Sequence, residues 1–279
     1  MSVASFRRVG RLYVPRGLEA SGYRLTGLPE NIDARLFATE HDAAIAVSAY
    51  IRAHVDVAAL RSEMLRLGLQ TGNTPIPAFR ALWGSDWSNV STWNLDEFFP
   101  MRADDPKSYH RYMWENLFSH VKINPANVHI PCGDPDLVDP HVESERYEAS
   151  IRDVGDMDLW LVGLGRNGHV GFNEPGSSFE STTRLVPLAK ETFDDAQLDF
   201  RGRVQPTQAI TVGLGTAMRA REVAMVVTGP KTTEILPRVF LDSPTTDVPA
   251  SVLQAHGKVR LFADRVAAAG LLKRLSERR

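Results

Sequence analysis

The chain has 279 residues and a formal net charge of −2, which argues against nucleic acid as its main partner, since phosphate backbones are bound by an excess of Lys and Arg. Hydrophobic residues make up 43% of the sequence, enough to build a core, yet no apolar run approaches the roughly 20 residues that a membrane-spanning helix needs. These features favour a globular protein whose partners include neither a membrane nor a nucleic acid.

Cysteine use and the first residues indicate the compartment. Cys132 is the single cysteine, so an internal disulfide framework is excluded and a reducing cytosol is favoured. Arg7 and Arg8 are not followed by an apolar segment, which argues against a secretory signal. We therefore expect a cytoplasmic protein.

Two regions of different character are predicted. Residues 1–33 are interpreted as an N-terminal extension of unknown role, interrupted by Gly and Pro. An added edge strand, an oligomer contact and a disordered tail all remain open for it. Residues 34–279 are expected to form a single α/β domain, because a regular alternation of elements begins at Ala34.

Short apolar runs typical of strands alternate with runs of helical spacing in this domain. The predicted strands are 35–38, 64–69, 90–95, 128–131, 159–162, 209–213, 223–227 and 259–264, and the predicted helices are 41–57, 104–120, 142–154 and one that closes the chain. Such alternation predicts an α/β fold with a doubly wound, mostly parallel sheet and helices on both faces, a Rossmann-like three-layer sandwich.

The loop after the second predicted strand has the composition of an anion site. Thr74 is expected to cap the next helix, with Pro75 in its first turn. Gly72 lets the backbone approach a ligand, Asn73 follows it, and the hydroxyl of Thr71 adds a donor. Free amide groups at a helix start hold anions, although a plain capped turn would also explain the loop.

Two adjacent carboxylates, Asp96 and Glu97, follow the strand at 90–95. Neighbouring residues in extended backbone point in different directions, so one can face a cleft while the other makes structural bonds. Either acid could instead serve as a helix cap.

The stretch 157–175 ends a buried strand in a loop with four glycines, which carries Asn167, His169 and Glu174. A strand that ends in a glycine-rich loop with proton-transfer residues is where an open α/β sheet places its ligand. The alternative is a tight turn with a surface histidine. The spacing of Gly163, Gly165 and Gly168 matches a dinucleotide loop, but the residues that follow cannot open a helix cleanly, so NAD is not expected.

These groups together indicate a phosphorylated sugar as ligand, with no metal or other cofactor. Parallel strands place their carboxyl ends along one edge, so the loops are expected to converge. Phosphate would lie on the 71–74 loop with Lys231 nearby, Asp96 would remove a proton next to a carbonyl or imine, and His169 with Glu174 would shuttle the ring-oxygen proton. The eight histidines are scattered, and no metal cluster is recognised.

Six motifs resemble the glucosamine-6-phosphate deaminase family (glucosamine/galactosamine-6-phosphate isomerases), over about residues 34–269. The motif Gly-His-Val-Gly-Phe-Asn-Glu-Pro is the specific one, because the related 6-phosphogluconolactonases share the Gly-His but typically not Phe-Asn-Glu-Pro. The motifs are Leu-Gly-Leu-Gln-Thr-Gly-Asn-Thr-Pro at 67–75, Asn-Leu-Asp-Glu-Phe at 94–98, Ser-Tyr-His at 108–110, Gly-Leu-Gly-Arg-Asn-Gly-His-Val-Gly-Phe-Asn-Glu-Pro at 163–175, Thr-Val-Gly-Leu-Gly-Thr at 211–216 and Pro-Ala-Ser-Val-Leu-Gln-Ala-His at 249–256.

The resemblance implies an aldose–ketose isomerisation coupled to loss of ammonia, giving fructose 6-phosphate. It implies that Asp96 accepts the proton during enolisation and that Asn167, His169 and Glu174 open the sugar ring. Many family members carry Asp where this chain has Asn167, so we expect a neutral amide to orient a less basic His169. Lys231 and the 71–74 loop match the family's phosphate site.

Two departures from the family pattern concern the substrate and its regulation, and the first leaves the substrate open. The family's phosphate-site Arg is missing from 196–200, and Arg201 or Arg203 are candidates to replace it. Arg184 remains after the polar segment 176–184, which is interpreted as a mobile cover, but Val186 replaces a basic residue of the allosteric members. Allosteric activation is therefore not predicted.

Three functions remain after these comparisons. Glucosamine-6-phosphate deaminase is favoured, and a sibling enzyme, either a galactosamine-6-phosphate deaminase/isomerase or a 6-phosphogluconolactonase, is the alternative. A non-catalytic sugar-phosphate sensor is disfavoured, because residues 1–33 show no helix-turn-helix pattern. The sequence leaves a homo-oligomer possible.

Overall fold

A computed structural model describes residues 6–9, 12–15, 22–196, 200 and 204–278. The strands are β1 (Phe6–Val9), β2 (Leu12–Pro15), β3 (Tyr23–Arg24), β4 (Ile32–Phe37), β5 (Leu65–Leu69), β6 (Val90–Asn94), β7 (Asp96–Phe99), β8 (Val128–His129), β9 (Leu159–Val162), β10 (Arg184–Pro187), β11 (Gln208–Thr211), β12 (Val223–Val227) and β13 (Val259–Asp264). The α-helices are α1 (Glu40–Arg61), α2 (Ile76–Ala81), α3 (Tyr109–Asn116), α4 (Pro140–Asp153), α5 (Lys190–Ala196), α6 (Leu214–Met218), α7 (Ile235–Leu241) and α8 (Ala269–Glu277).

The main sheet has eight strands in the order β3-β4-β13-β12-β9-β5-β6-β8. Every neighbouring pair is parallel except β3 with β4 at one edge. The predicted fold class, a doubly wound and mostly parallel sheet, is therefore confirmed. The bounds of β9, β12 and β13 are those that the apolar runs predicted.

Both faces of this sheet are covered, which explains why its central strands are apolar without a break. In β9, Leu159 and Leu161 belong to the core on one face, and Trp160 and Val162 belong to the core on the other. Helices α1, α2 and α3 pack on the first face, and α4, α7 and α8 pack on the second. This arrangement is the predicted three-layer sandwich.

Helix α1 is the longest element, and its cap explains where it begins. Thr39 accepts from the backbone N–H of Asp42, and the Asp42 carboxylate accepts from that of Thr39. Contrary to the sequence expectation, the 22-residue helix is long and apolar enough to cross a membrane by length and composition. Because Val47 and Ile51 are fully buried against the sheet, α1 serves here as a core helix.

The connections reverse direction between β5 and β9, which are neighbours in the sheet. From β5 the chain continues to β6 on one side, whereas from β9 it proceeds to β12 on the other. A crevice forms at the carboxyl ends of strands at such a switch point. The loops that follow β5 and β9 are the two polar loops identified in the sequence.

A second, antiparallel sheet was not predicted. Its order is β10-β11-β7, so the run predicted as a strand at 209–213 lies outside the parallel sheet. The chain passes from β6 into β7 through Leu95 alone, whose N–H donates to Leu69 and whose carbonyl accepts from Val212. One residue therefore joins the two sheets.

Two boundaries differ from the predicted ones. Helix α3 begins at Tyr109 instead of 104, because Ser108 caps it and Glu97 binds its first N–H groups. It ends at Asn116, and a 3₁₀ turn, Phe118–His120, completes the predicted range. At the other end of the domain, β4 begins at Ile32 and β3 pairs with it, so part of the segment interpreted as an extension lies in the main sheet.

A glycine in β5 provides a test of sheet packing. A Cβ added at Gly68 would lie 2.4 Å from the fully buried ring of Trp160 on β9. We expect Gly68→Ala to lower the free energy of unfolding by about 2 kcal/mol through overpacking. Urea unfolding measures this change. Gly257→Ala is the control, because its added Cβ would meet nothing within 4 Å, and an equal effect of both substitutions would contradict the packing argument.

Candidate active site

Asp96 lies at the first position of β7, just past the carboxyl end of β6, with 4% of the residue exposed. Its Oδ1 is 3.5 Å from the Oγ1 of Thr71 in the loop after β5. On the other side, a Cβ placed on Gly171 would be 3.1 Å from its Oδ2. Asp96 is therefore held between the two polar loops that flank the switch point.

Glu97 points away from the crevice and performs a structural role. Its carboxylate accepts from the Ser108 hydroxyl at 2.7 Å and from the backbone N–H groups of Phe98, Tyr109 and His110 at 2.9–3.0 Å. Negative charge at these free N–H groups stabilises the start of α3. The two adjacent acids thus divide the roles in the way that extended backbone predicts.

Burial dominates the electrostatics of this acid pair. It raises the pKa of Asp96 to about 8, with a further contribution from the charge of Glu97 and a small opposing one from the Thr71 hydroxyl. Burial also raises the pKa of Glu97 to about 7, against the four hydrogen bonds that favour its charged form. A carboxylate with such a raised pKa is a much stronger base than an exposed aspartate.

His169, Glu174 and Asn167 form one hydrogen-bonded group in the loop after β9. Glu174 Oε2 lies 3.2 Å from His169 Nδ1 and accepts from Asn167 Nδ2 at 2.8 Å. Asn167 Oδ1 accepts from the backbone N–H of His169 at 3.2 Å. The expectation that a neutral amide orients the His169 ring was wrong, because the carboxylate of Glu174 contacts the ring and Asn167 holds that carboxylate.

The charge of Glu174 is stabilised by the same contacts. Burial acts to raise the pKa of Glu174, but the hydrogen bond and charge of His169, together with bonds from Thr192 and Asn167, outweigh it, and the pKa is lowered. Glu174 is therefore ionised near neutrality and can fix the Nδ1 proton of His169, which leaves Nε2 as the ring nitrogen able to accept a proton.

Glycine is required beneath the His169 ring. A Cβ on Gly165 would lie 2.2–2.4 Å from three atoms of this ring. Gly168 adopts a φ of +92°, a left-handed conformation that favours glycine. The glycines that break the pattern after β9 therefore serve the placement of His169.

Thr192 and Tyr109 are site residues that sequence reasoning missed. Thr192 on α5 donates its hydroxyl to Glu174 Oε1. Burial and the charge of Asp96 raise the pKa of Tyr109 well above its usual range, against a hydrogen bond with Thr71. Tyr109 lay within a recognised motif but without an assigned role, and Thr192 had no signal, because a threonine on a short helix is an ordinary residue.

The predicted anion loop lies at the carboxyl end of β5. Gly72 has a φ of +90°, and α2 begins only at Ile76, with Pro75 as a cap that makes no side-chain bond. The prediction that Thr74 caps this helix was wrong. Among the described residues, the backbone N–H groups of Gly72, Asn73 and Thr74 make no hydrogen bond, so they are available to a ligand.

Lys231 lies in the turn Pro230–Thr232, after the carboxyl end of β12, and it is exposed. Strand β9 separates β12 from β5, so Lys231 and the anion loop belong to the same edge of the sheet. The candidate replacements for the missing arginine, Arg201 and Arg203, lie outside the described residues.

The segment 176–184 is packed down instead of standing free as a cover. The N–H and hydroxyl of Thr183 donate to Glu148 at 3.0 and 2.6 Å, and a Cβ on Gly213 would be 2.1 Å from the Ser181 carbonyl oxygen. Arg184 donates to Asn173 at 2.9 Å. The interpretation of this segment as a mobile cover therefore has to be corrected, since these contacts fix its second half.

Comparison with known proteins identifies the family. The family model described as glucosamine-6-phosphate isomerases/6-phosphogluconolactonase matches residues 38–261. This chain belongs to that family. The resemblance inferred from the six motifs is therefore confirmed.

Within the family, similar curated relatives are named as deaminases. A glucosamine-6-phosphate deaminase 2 of Giardia intestinalis is 40% identical over 220 residues, which cover 76% of this chain and 82% of the relative. A glucosamine-6-phosphate deaminase 2 of Bacillus subtilis is 38% identical over 213 residues, covering 72% and 84%.

Solved structures of the family share this architecture. A monomeric glucosamine-6-phosphate deaminase is 31% identical with a TM-score of 0.77, and the match covers 85% of this chain and 99% of that one. A 6-phosphogluconolactonase of Thermotoga maritima, at 21% identity and a TM-score of 0.68 over 84% of this chain and 99% of that one, shares the fold.

The raised pKa of Asp96 has a measurable effect on stability. Folding raises this pKa from 3.8 to about 8, so the wild type loses stability as the pH rises through that window, because the folded state resists releasing the proton. Asp96→Asn has no such proton. We expect its melting temperature to rise relative to the wild type from about pH 4 to about pH 8 and to level off above, as measured by thermal denaturation at several pH values.

Asp56→Asn is the matched control for this comparison. Asp56 lies on the exposed side of α1, so its substitution should change the melting temperature by a similar small amount at every pH. If the difference in melting temperature between Asp96→Asn and the wild type were also independent of pH, the pKa of the Asp96 carboxyl group would not be raised by folding.

Proposed function

We propose that this chain catalyses the hydrolytic deamination and aldose–ketose isomerisation of glucosamine 6-phosphate to fructose 6-phosphate and ammonia. The observation that carries the proposal is the approach of Gly171, in the loop of His169 and Glu174, to the carboxyl group of Asp96. A base with a raised pKa and a His–Glu pair on an adjoining loop suit an enolisation that is preceded by ring opening. The names of the relatives at about 40% identity support the same reaction.

Substrate binding is assigned to the edge formed by the loops after β5 and β12. The free N–H groups of Gly72, Asn73 and Thr74, with the hydroxyl of Thr71, would donate to the phosphate oxygens, and Lys231 would supply a positive charge. A phosphate at this edge would leave the other end of the sugar to reach Asp96 and the loop after β9.

Ring opening is assigned to His169. Its Nε2 would accept the proton of the C1 hydroxyl and return a proton to the ring oxygen, so that the aldehyde forms without net charge. Glu174 would stabilise the transient imidazolium through Nδ1, and Asn167 would hold Glu174 in place. No proton is lost or gained over the cycle.

Enolisation is assigned to Asp96. Its carboxylate would remove the C2 proton of the open chain, and the C2–H electron pair would form the C1–C2 double bond. The π pair of the C1 carbonyl would move to O1, which takes a proton from the substrate's ammonium group, so that an enolamine forms. Return of this proton to C1 gives an imine at C2, which water hydrolyses to the ketone and ammonia. Burial makes the Asp96 carboxylate basic enough to remove a proton from carbon, which explains why the catalytic base is a buried residue.

The proposed partner is a small phosphorylated sugar, and we expect the protein to act in the cytoplasm. The oligomeric state is left open, since a monomeric deaminase is among the structural relatives.

Substitution of Asp96 tests the assigned base. We expect Asp96→Asn and Asp96→Ala to reduce ammonia release from glucosamine 6-phosphate by at least about 1,000-fold, because no other carboxylate would replace the base. A coupled ammonia assay measures this, with Asp56→Asn as control. Turnover within tenfold of the wild type would remove Asp96 from the mechanism.

The pH dependence tests the protonation state of this base. Protonated Asp96 is inactive, so below its pKa the rate should fall about tenfold per pH unit, with a plateau above about pH 8. Exchange of the C1 hydrogen of fructose 6-phosphate with solvent is a suitable assay, because this ligand has no amine that titrates. A rate already level at pH 6 would contradict the raised pKa.

A substrate panel separates the deaminase from its siblings. Glucosamine 6-phosphate, galactosamine 6-phosphate and 6-phosphogluconolactone are compared by kcat/KM. We expect glucosamine 6-phosphate to exceed the other two by at least about 10-fold. A preference for the galactose epimer would revise the substrate, and lactone hydrolysis alone would replace the proposed function.

A further inference from the structure

Among the described residues outside the loop 163–175, Thr192 is the one whose side chain hydrogen-bonds to the side chains of His169 and Glu174. Its hydroxyl donates to Glu174 Oε1, and its Oγ1 is 3.4 Å from His169 Nδ1. The other oxygen of this carboxylate, Oε2, is shared by Asn167 and His169. Both oxygens of Glu174 are thus engaged, one by the loop and one by α5.

Helix α5 is docked on the loop by a second contact. Arg166 lies in the loop after β9, directly after Gly165. It donates to the backbone carbonyl of Glu191 at 3.3 Å. The helix is also held by Gln205, which donates to the carbonyl of Phe193 at 2.7 Å. The hydroxyl of Thr192 is therefore presented to Glu174 from a fixed direction.

We propose that Thr192 is a positioning residue that sets the orientation and ionisation of Glu174, and through it the proton-accepting state of His169. This inference rests on the proposed ring-opening role of His169. The Glu174 carboxylate can rotate about its Cγ–Cδ bond, because Asn167 and His169 both contact only Oε2. The bond at Oε1 prevents that rotation and stabilises the negative charge that keeps a proton on Nδ1.

The inference predicts a split between two steps of the reaction. Ring opening needs Nε2 of His169 as acceptor, whereas binding of an acyclic ligand needs only the phosphate loop and the crevice. Loss of the Thr192 hydroxyl should therefore slow turnover of the cyclic substrate and leave binding of an acyclic analogue unchanged.

The test compares Thr192→Val, which keeps the shape but removes the hydroxyl, with Thr192→Ser, which keeps the hydroxyl. We expect Thr192→Val to lower kcat/KM for cyclic glucosamine 6-phosphate about tenfold or more, the size of one hydrogen bond to a charged group, and Thr192→Ser to restore most of it. The inhibition constant of the alditol, 2-amino-2-deoxyglucitol 6-phosphate, should be the same in all three proteins. Equal losses in both variants, or a parallel loss of alditol binding, would overturn the proposal.

A readout without substrate keeps this test independent of the proposed function. The ¹³C shift of the Glu174 carboxyl carbon is followed against pH by NMR, with Glu174→Gln to assign the signal. Its titration midpoint should move to higher pH in Thr192→Val and stay in place in Thr192→Ser, because the hydroxyl contributes to lowering the pKa of Glu174. An unchanged midpoint in Thr192→Val would refute the role of Thr192, whereas absence of turnover in the wild type would refute only the reaction.

Discussion

Burial of the Asp96 carboxyl group beside the switch point of the sheet is the constraint on which the site depends. Water is excluded there, so the charged form of the acid is costly and its pKa rises to about 8. Glu97, the next residue, points to the other side and binds the first N–H groups of α3. The charge of Glu97 adds to the raised pKa of Asp96, while the hydrogen bonds of Glu97 keep its carboxylate directed away from Asp96.

Close approach explains the glycines that surround this acid better than flexibility does. The loop after β9 brings Gly165 against the ring of His169, where a Cβ would have no room, and Gly171 against Asp96, where a Cβ would be only 3.1 Å from Oδ2. In β5, the absence of a Cβ on Gly68 lets the ring of Trp160 lie directly against the backbone of the strand. Each glycine lets a functional or core side chain lie directly against the backbone, so the loop after β9 is a rigid support for His169.

The parallel sheet and the antiparallel sheet each position different residues of the site. The parallel sheet aligns the carboxyl ends of β5, β9 and β12, and the antiparallel sheet carries Asp96 on β7 across that edge. Family members named as deaminases and as lactonases share this framework. Function is therefore decided by side chains on the loops. The hydrogen bond from Thr192 to Glu174 joins the short helix α5 to one of these loops.

Much of this arrangement is readable from local sequence. Apolar runs give β9, β12 and β13 their bounds, because a strand buried on both faces must be apolar throughout. The residues proposed for catalysis stand out for the same kind of reason, as polar side chains at the ends of such runs. The start of α3 is not readable, because its first N–H groups are satisfied by Glu97 from another strand.

By itself, the sequence determined the sheet, its parallel core and the loops that carry polar groups, since these follow from hydrophobic pattern and local motifs. Only the tertiary structure decided which partners those groups meet: that Glu174 and not Asn167 contacts the His169 ring, that Thr192 completes the carboxylate, and that 176–184 is anchored by Glu148. The physical reason is that a hydrogen bond between residues distant in the chain depends on distances of a few tenths of an ångström, which packing fixes and hydrophobic periodicity does not encode.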